Sequence, residues 1–197
     1  MQRLRIRDFG PIGEGFPDGF FDIGKCTVLT GEQGSGKSTI AKVYSTFTWL
    51  EKDIFRNDGS IRDFGIAEFK NICKNQRIDG YFTDGTKLEY EGDICSFRIT
   101  SREFLPQVKD GSYVRPKIMY IPSERNLLTV LENADRIQKL PLMLRLLQKE
   151  YQNALAASNG KDMGLPLEGF KVRFDKTSKT AQIVQGKTVL DIQDASS

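Results

Sequence analysis

Residues 31–39 read GEQGSGKST and bring a glycine-rich turn, one cation and three hydroxyls into a single short stretch. The order G-x-x-x-x-G-K-S is the spacing of a loop that wraps the phosphates of a nucleotide. Glycines let consecutive backbone N–H groups turn inward around an anion, unobstructed by Cβ atoms. Gly31, Gly34 and Gly36 supply that freedom. Lys37 can reach the terminal phosphates as a point charge. Ser38 can place its hydroxyl on Mg²⁺, and a helix opening near Gly36 would aim its positive end at the same charge. The candidate contact set is Gly31, Gln33, Gly34, Ser35, Gly36, Lys37, Ser38 and Thr39, with ATP and Mg²⁺ as the expected ligands and Ser38 as the metal-facing residue.

Such a loop needs a strand before it and a helix after it. Residues 25–30, KCTVLT, are β-branched and apolar up to the first glycine, and residues 40–50, IAKVYSTFTWL, carry apolar side chains at near-helical spacing. Upstream, residues 4–9, LRIRDF, alternate apolar and charged like a half-exposed strand. Residues 10–15 are turn-rich and residues 16–23 form a second extended pattern, so a β-ribbon precedes the loop's own strand.

The chain has 197 residues, enough for one domain with an insertion, and a formal charge of only +3 with both signs mixed, so composition carries no polybasic signature for nucleic acid or anionic lipid. Cys26, Cys73 and Cys95 lack metal-ligand spacing and read as buried thiols of a reducing cytosol. The chain has no histidine, which excludes a histidine base, triad or metal ligand. No run approaches a membrane span, and the expectation is a soluble cytoplasmic protein without membrane partners.

The opening RLRIRDFGPIGEG followed by KCTVLTGEQGSGKSTIAKV resembles the start of the ABC-type ATPases of the SMC, RecF and OLD-like group. The resemblance implies an α/β P-loop NTPase, the N-terminal half of an ATPase head with an antiparallel β-subdomain beside the nucleotide. In that group a residue near the first turn packs on adenine or ribose. Arg7, Asp8 and Phe9 fall there, and Phe9 is the candidate, with a core aromatic as the alternative reading.

Further along, residues 61–77 have helical spacing. Asp79-Gly80 and Asp84-Gly85 are turn dipeptides, and residues 87–91 and 94–100 read as a hairpin. Residues 117–121, KIMYI, read as a compact strand ending at Pro122. The turn Pro122-Ser123-Glu124-Arg125 would then sit at the strand's C-terminal end, where open α/β sheets bind ligands. YIPSERN resembles the stretch that stands in this group near a loop sensing Mg²⁺ and the γ phosphate. Ser123 or Glu124 would have to serve there, and Glu124 is the carboxylate candidate for catalysis. The alternative is that Ser123 caps a helix while Glu124 and Arg125 are surface charges of its first turn.

Residues 127–157 have the strongest helical pattern, broken at Pro141. Two helices or one kinked helix are expected, a short helical insertion in place of a long coiled coil. Residues 169–175 and 180–184 read as a hairpin and residues 188–192 as a last strand. After residue 121 no apolar strand ends in an acidic pair, and VLDIQDASS resembles the stretch just before the group's signature motif. One incomplete ATPase domain is therefore expected, which binds nucleotide but hydrolyses it negligibly, because it lacks a carboxylate pair to organise Mg²⁺ and the attacking water as well as the signature motif of a second head. Implied partners are that second head, in a homodimer of the full-length protein, and DNA or an effector protein. Two other function classes fit the loop: a small-molecule kinase, and an interaction domain that binds nucleotide without catalysis.

Overall fold

The computed structural model describes residues 2–16, 19–56, 64–123, 141–158, 160–166, 168–175, 177 and 180–191. The chain is mixed α/β with antiparallel sheets and divides into two compact units, Met1–Tyr120 and Ile121–Ser197. No helix among the described residues is long and apolar enough to cross a membrane.

The first unit is a five-stranded sheet with a long helix across one face. β1 (Gln2–Phe9), β2 (Phe21–Ile23), β3 (Phe82–Glu91), β4 (Cys95–Thr100) and β5 (Phe104–Val108) take the spatial order β2-β1-β3-β4-β5, every pair antiparallel. The period-two pattern decides which side chains go inward. Leu4, Ile6, Leu88, Tyr90, Cys95, Phe97 and Ile99 face the core, while Arg3, Arg5, Glu89, Glu91 and Arg98 face water. On the wet face the register sets Arg3 against Glu91 and Glu89 between Arg5 and Arg98, so opposite charges meet across the ladders. These exposed pairs favour the register, and each adds at most about 1 kcal/mol.

α1 (Lys37–Arg56) lies on the core face. Ile40, Val43, Phe47, Leu50 and Ile54 recur at intervals of three and four and form its buried stripe. Phe47 is the centre of an aromatic stack, 5.3 Å from Tyr90 and 5.7 Å from both Phe69 and Phe97. The hydroxyl-rich middle of α1 stays helical because the hydroxyls bond back along it. Thr46 Oγ1 donates to the Lys42 carbonyl at 2.9 Å and Thr48 Oγ1 to that of Tyr44 at 3.1 Å.

Glu51 is a fully buried carboxylate in this apolar stripe. Its Oε1 accepts the N–H groups of Ile94 at 2.8 Å and Cys95 at 3.1 Å, and its Oε2 accepts the Tyr90 hydroxyl at 2.9 Å. The carboxylate thus closes the β3–β4 turn, and the Gly92 backbone lies against it with no space for a Cβ. α2 (Ile66–Asn75) covers the same core through Phe69 and Cys73, and the Glu68 carboxylate accepts the Gly65 N–H at its start.

Two expected strands, the second ending one residue past this unit, are not strands. Residues 25–30 and 117–121 join no ladder. After β2 the chain turns at Gly24, whose N–H donates to Thr27 Oγ1 at 3.1 Å. Leu29 then rests on the core, and Val28 is left 78 % exposed. A strand that does not continue a hairpin needs a neighbour brought by a crossover, and no described residue pairs with either run. Residues 113–116 lie along α1 instead. Tyr113 packs at a tilt against Phe55, ring centres 5.0 Å apart, Arg115 sits 5.3 Å over the same Phe55 ring, and the Pro116 carbonyl accepts Lys52 Nζ at 2.7 Å.

The three cysteines also differ from expectation: Cys73 and Cys95 are buried, but Cys26 is exposed on the run that makes no ladder. β5 lacks the alternating pattern, carries Pro106, and pairs only because a short turn returns it beside β4.

The second unit holds α3 (Leu142–Ser158) and a four-stranded antiparallel meander of β6 (Met163–Gly164), β7 (Phe170–Asp175), β8 (Thr180–Gln185) and β9 (Thr188–Asp191). The helix begins directly after Pro141, and residues 127–140 of the expected insertion lie outside the described residues. Leu144, Leu147, Leu155, Ala181 and Val184 are buried. Asp162 bridges two residues of β7, Arg173 Nε at 2.6 Å and Lys171 Nζ at 3.6 Å.

Candidate functional site

The glycine-rich loop runs into α1 without a break. Lys37 and Ser38 are the first residues of the helix, and the Ile40 N–H donates to the Gly36 carbonyl at 2.9 Å. The N–H groups of a helix's first turn have no partner within the helix, so they present positive charge at the loop. No acidic side chain stands in that turn to cancel it.

Inside the loop the Lys37 ammonium donates to the Gly31 carbonyl at 2.8 Å, the Glu32 carbonyl at 2.6 Å and Ser35 Oγ at 3.3 Å. Its side chain therefore folds back over the turn, and its charge is held among loop atoms. Gly31, Gly34 and Gly36 all have positive φ, at 147°, 84° and 94°. Gly36 needs glycine for a second reason: a Cβ there would come within 2.7 Å of Ile12 Cγ1 and 3.6 Å of Pro11 Cγ. Gly36 and Thr39 are buried, whereas Gln33, Gly34, Ser35 and Ser38 are exposed. An anion can thus approach the loop from one side, with a lysine and a hydroxyl at the mouth of a helix.

The remaining expected site residues fall elsewhere. Phe9 is fully buried, edge-on to Tyr81 at 5.6 Å and Phe82 at 5.1 Å, so its ring belongs to the core and presents no face to a ligand. Ser123 is exposed and lies in the second unit, without the strand that was to carry its turn. Glu124 and Arg125 lie outside the described residues. Arg7 and Asp8 are partly exposed at the end of β1, 3.5 Å apart. Among the described residues no group of three or more His, Cys, Asp or Glu stands together as a metal site. Ser38, the residue expected to face Mg²⁺, is exposed at the start of α1.

The left-handed turn at Asp8, with φ 49°, escaped the sequence reading, as did the contact of Ile12 with the loop. The signal for both was present in Gly10-Pro11 and in Asp84-Gly85, whose turn lies opposite Asp8. Protein-family models, curated proteins and solved structures yielded no match to this chain.

Proposed function

We propose that residues 31–39 bind the triphosphate of Mg²⁺–ATP, in a P-loop NTPase of the ABC type resembling the SMC, RecF and OLD-like group. The observation that carries this reading is the Lys37 ammonium gathered among loop atoms at the N-terminus of a 20-residue helix. An incoming phosphate offers that ammonium charged acceptors in place of neutral carbonyls, a stronger hydrogen bond for the same donor. The loop N–H groups and the helix end then take the remaining phosphate oxygens. Ser38 is the residue that would hold Mg²⁺, which would neutralise part of the charge on the terminal phosphates.

These groups hold the ground state. Phosphoryl transfer also needs a positioned water and charge stabilisation on the γ phosphate, which in this reading come from an acidic pair that residues 122–197 do not supply and from the signature motif of a second ATPase head. A homodimer of heads in the cytoplasm, acting on DNA or on an effector protein, is the corresponding biological setting.

The reading is tested by titrating MgATP and AMP separately by calorimetry. A loop that recognises the β and γ phosphates binds MgATP saturably and AMP far more weakly; equal affinity for both would refute it.

A further inference from the structure

The phosphate loop rests on a turn of the β-ribbon, and that turn is held in a rare conformation by two threonines far away in sequence. Asp8 has φ 49°, a left-handed conformation uncommon outside glycine, which aspartate tolerates better than most residues and which hydrogen bonds around it can fix. The ladder of β1 with β3 shifts at this point. Arg7 pairs with Lys87 and Phe9 with Phe82, so residues 83–86 make an excursion opposite Asp8 alone.

That excursion is built as a clamp. Thr86 Oγ1 donates to the Asp8 carbonyl at 2.6 Å and Thr83 Oγ1 donates to it at 3.0 Å. The Thr83 N–H donates back to Thr86 Oγ1 at 2.8 Å, and Thr86 is 1 % exposed. From Asp8 the chain is tied into a closed turn: the Asp8 N–H donates to the Gly13 carbonyl at 2.7 Å, and Phe9 and Ile12 exchange bonds of 2.8 and 3.1 Å. Ile12 and Pro11, at the tip, are the side chains that stand against Gly36.

We infer that Thr86, with Thr83, is a positioning residue for the phosphate loop, acting through the Asp8 carbonyl and the 9–12 turn to hold Ile12 against Gly36. The inference rests on the nucleotide-binding reading above and adds the part of the fold that sets the loop's shape. A buried hydroxyl with two partners, an enforced left-handed residue and a glycine without space for a Cβ form one connected path to Lys37. Removing the Thr86 hydroxyl leaves the Asp8 carbonyl with one partner, and the turn can relax toward ordinary φ, withdrawing Ile12 from the loop.

The test compares Thr86→Val, Thr86→Ser and Lys37→Ala with wild type, all below their melting temperatures. Amide hydrogen exchange without nucleotide should quicken over residues 8–13 and 31–40 in Thr86→Val and leave residues 95–100 unchanged; Thr86→Ser should restore protection. Uniform or absent acceleration would overturn the path. In calorimetry Thr86→Val should bind MgATP about tenfold more weakly and Thr86→Ser nearly as well as wild type, a tenfold change corresponding to about 1.4 kcal/mol. A purely structural threonine would lower the melting temperature and leave the affinity of the folded protein unchanged, and that result would refute the positioning role. If Lys37→Ala loses binding while Thr86→Val does not, the clamp fails and the loop assignment stands. If wild type itself does not bind, the loop assignment fails and the clamp loses its role with it.

Discussion

Within the first unit, the strands β3 to β5 and the runs 25–30 and 117–120 all carry β-branched or aromatic residues, yet only the former join a sheet. Turns of a few residues after β3 and β4 return the chain beside itself, so each strand brings its own neighbour. The run 25–30 leads into the glycine-rich loop and helix α1, which carry the chain away from it. Local composition chooses extended backbone, but pairing is a property of two segments, and hydrogen bonds of a lone strand go to water. The difference should appear as a difference in how substitutions are felt.

The largest effect is expected from Leu88→Asp, which places an unpaired charge in the centre of β3. It should cost more than about 4 kcal/mol and abolish cooperative unfolding of the first unit. Val28→Asp, on the run without a ladder, should change the urea midpoint by no more than the equivalent of about 0.5 kcal/mol. A large loss at Val28 would mean that residues 25–30 are paired in solution.

Next in size is Glu51, which ties α1 to the β3–β4 turn. Glu51→Ala leaves two backbone N–H groups and the Tyr90 hydroxyl without their acceptor, and at about 1 kcal/mol or more for each it should cost about 3 kcal/mol or more. Glu51→Gln keeps an acceptor for both N–H groups and should cost clearly less. Equal losses would show that charge, and not the closing of the turn, makes this residue matter.

The second unit supplies a smaller, pH-dependent contrast. The Arg173 hydrogen bond, followed by the charges of Arg173 and Lys171, holds the Asp162 carboxyl below its ordinary range. A depressed folded-state pKa stabilises the fold above the ordinary carboxylate range, and that contribution disappears as the pH falls through the folded value. Wild type should therefore exceed Asp162→Asn in urea midpoint at neutral pH, with the gap closing in acid below about pH 4. A gap that persists at low pH would contradict the ion-pair account.

The mildest probe is thiol chemistry. Burial, aided by Asp79, pushes the Cys73 thiol up to about 12, and burial with the nearby Glu51 pushes Cys95 to about 12 against the opposing effect of Lys109. At neutral pH both stay protonated and enclosed. Iodoacetamide should modify the exposed Cys26 first and the other two only on unfolding. Early labelling of Cys95 would place the β3–β4 turn in an open state.

Much of the first unit was legible because its physics is local. The alternation of LRIRDF marked β1, the hairpin near Gly92 marked β3 and β4, and the loop's glycines marked the start of α1. What could not be read depended on distant contacts. Phe9 is core because Tyr81 and Phe82 enclose it. Glu51 looks like a surface charge until a β-turn 43 residues away supplies its donors. Asp84-Gly85 announced a turn, but only the β1 register shows that it is an excursion within β3 closing on Asp8. The run KIMYI had the composition of a strand but joins no ladder among the described residues.

The central claim, that residues 31–39 are a triphosphate site, is tested most directly by calorimetric titration of MgATP into wild type and Lys37→Ala. Losing a charge-assisted contact of about 1.5–3 kcal/mol should weaken binding roughly 10- to 100-fold with the melting temperature little changed. Equal affinity of the two proteins, or no binding by wild type, would contradict it.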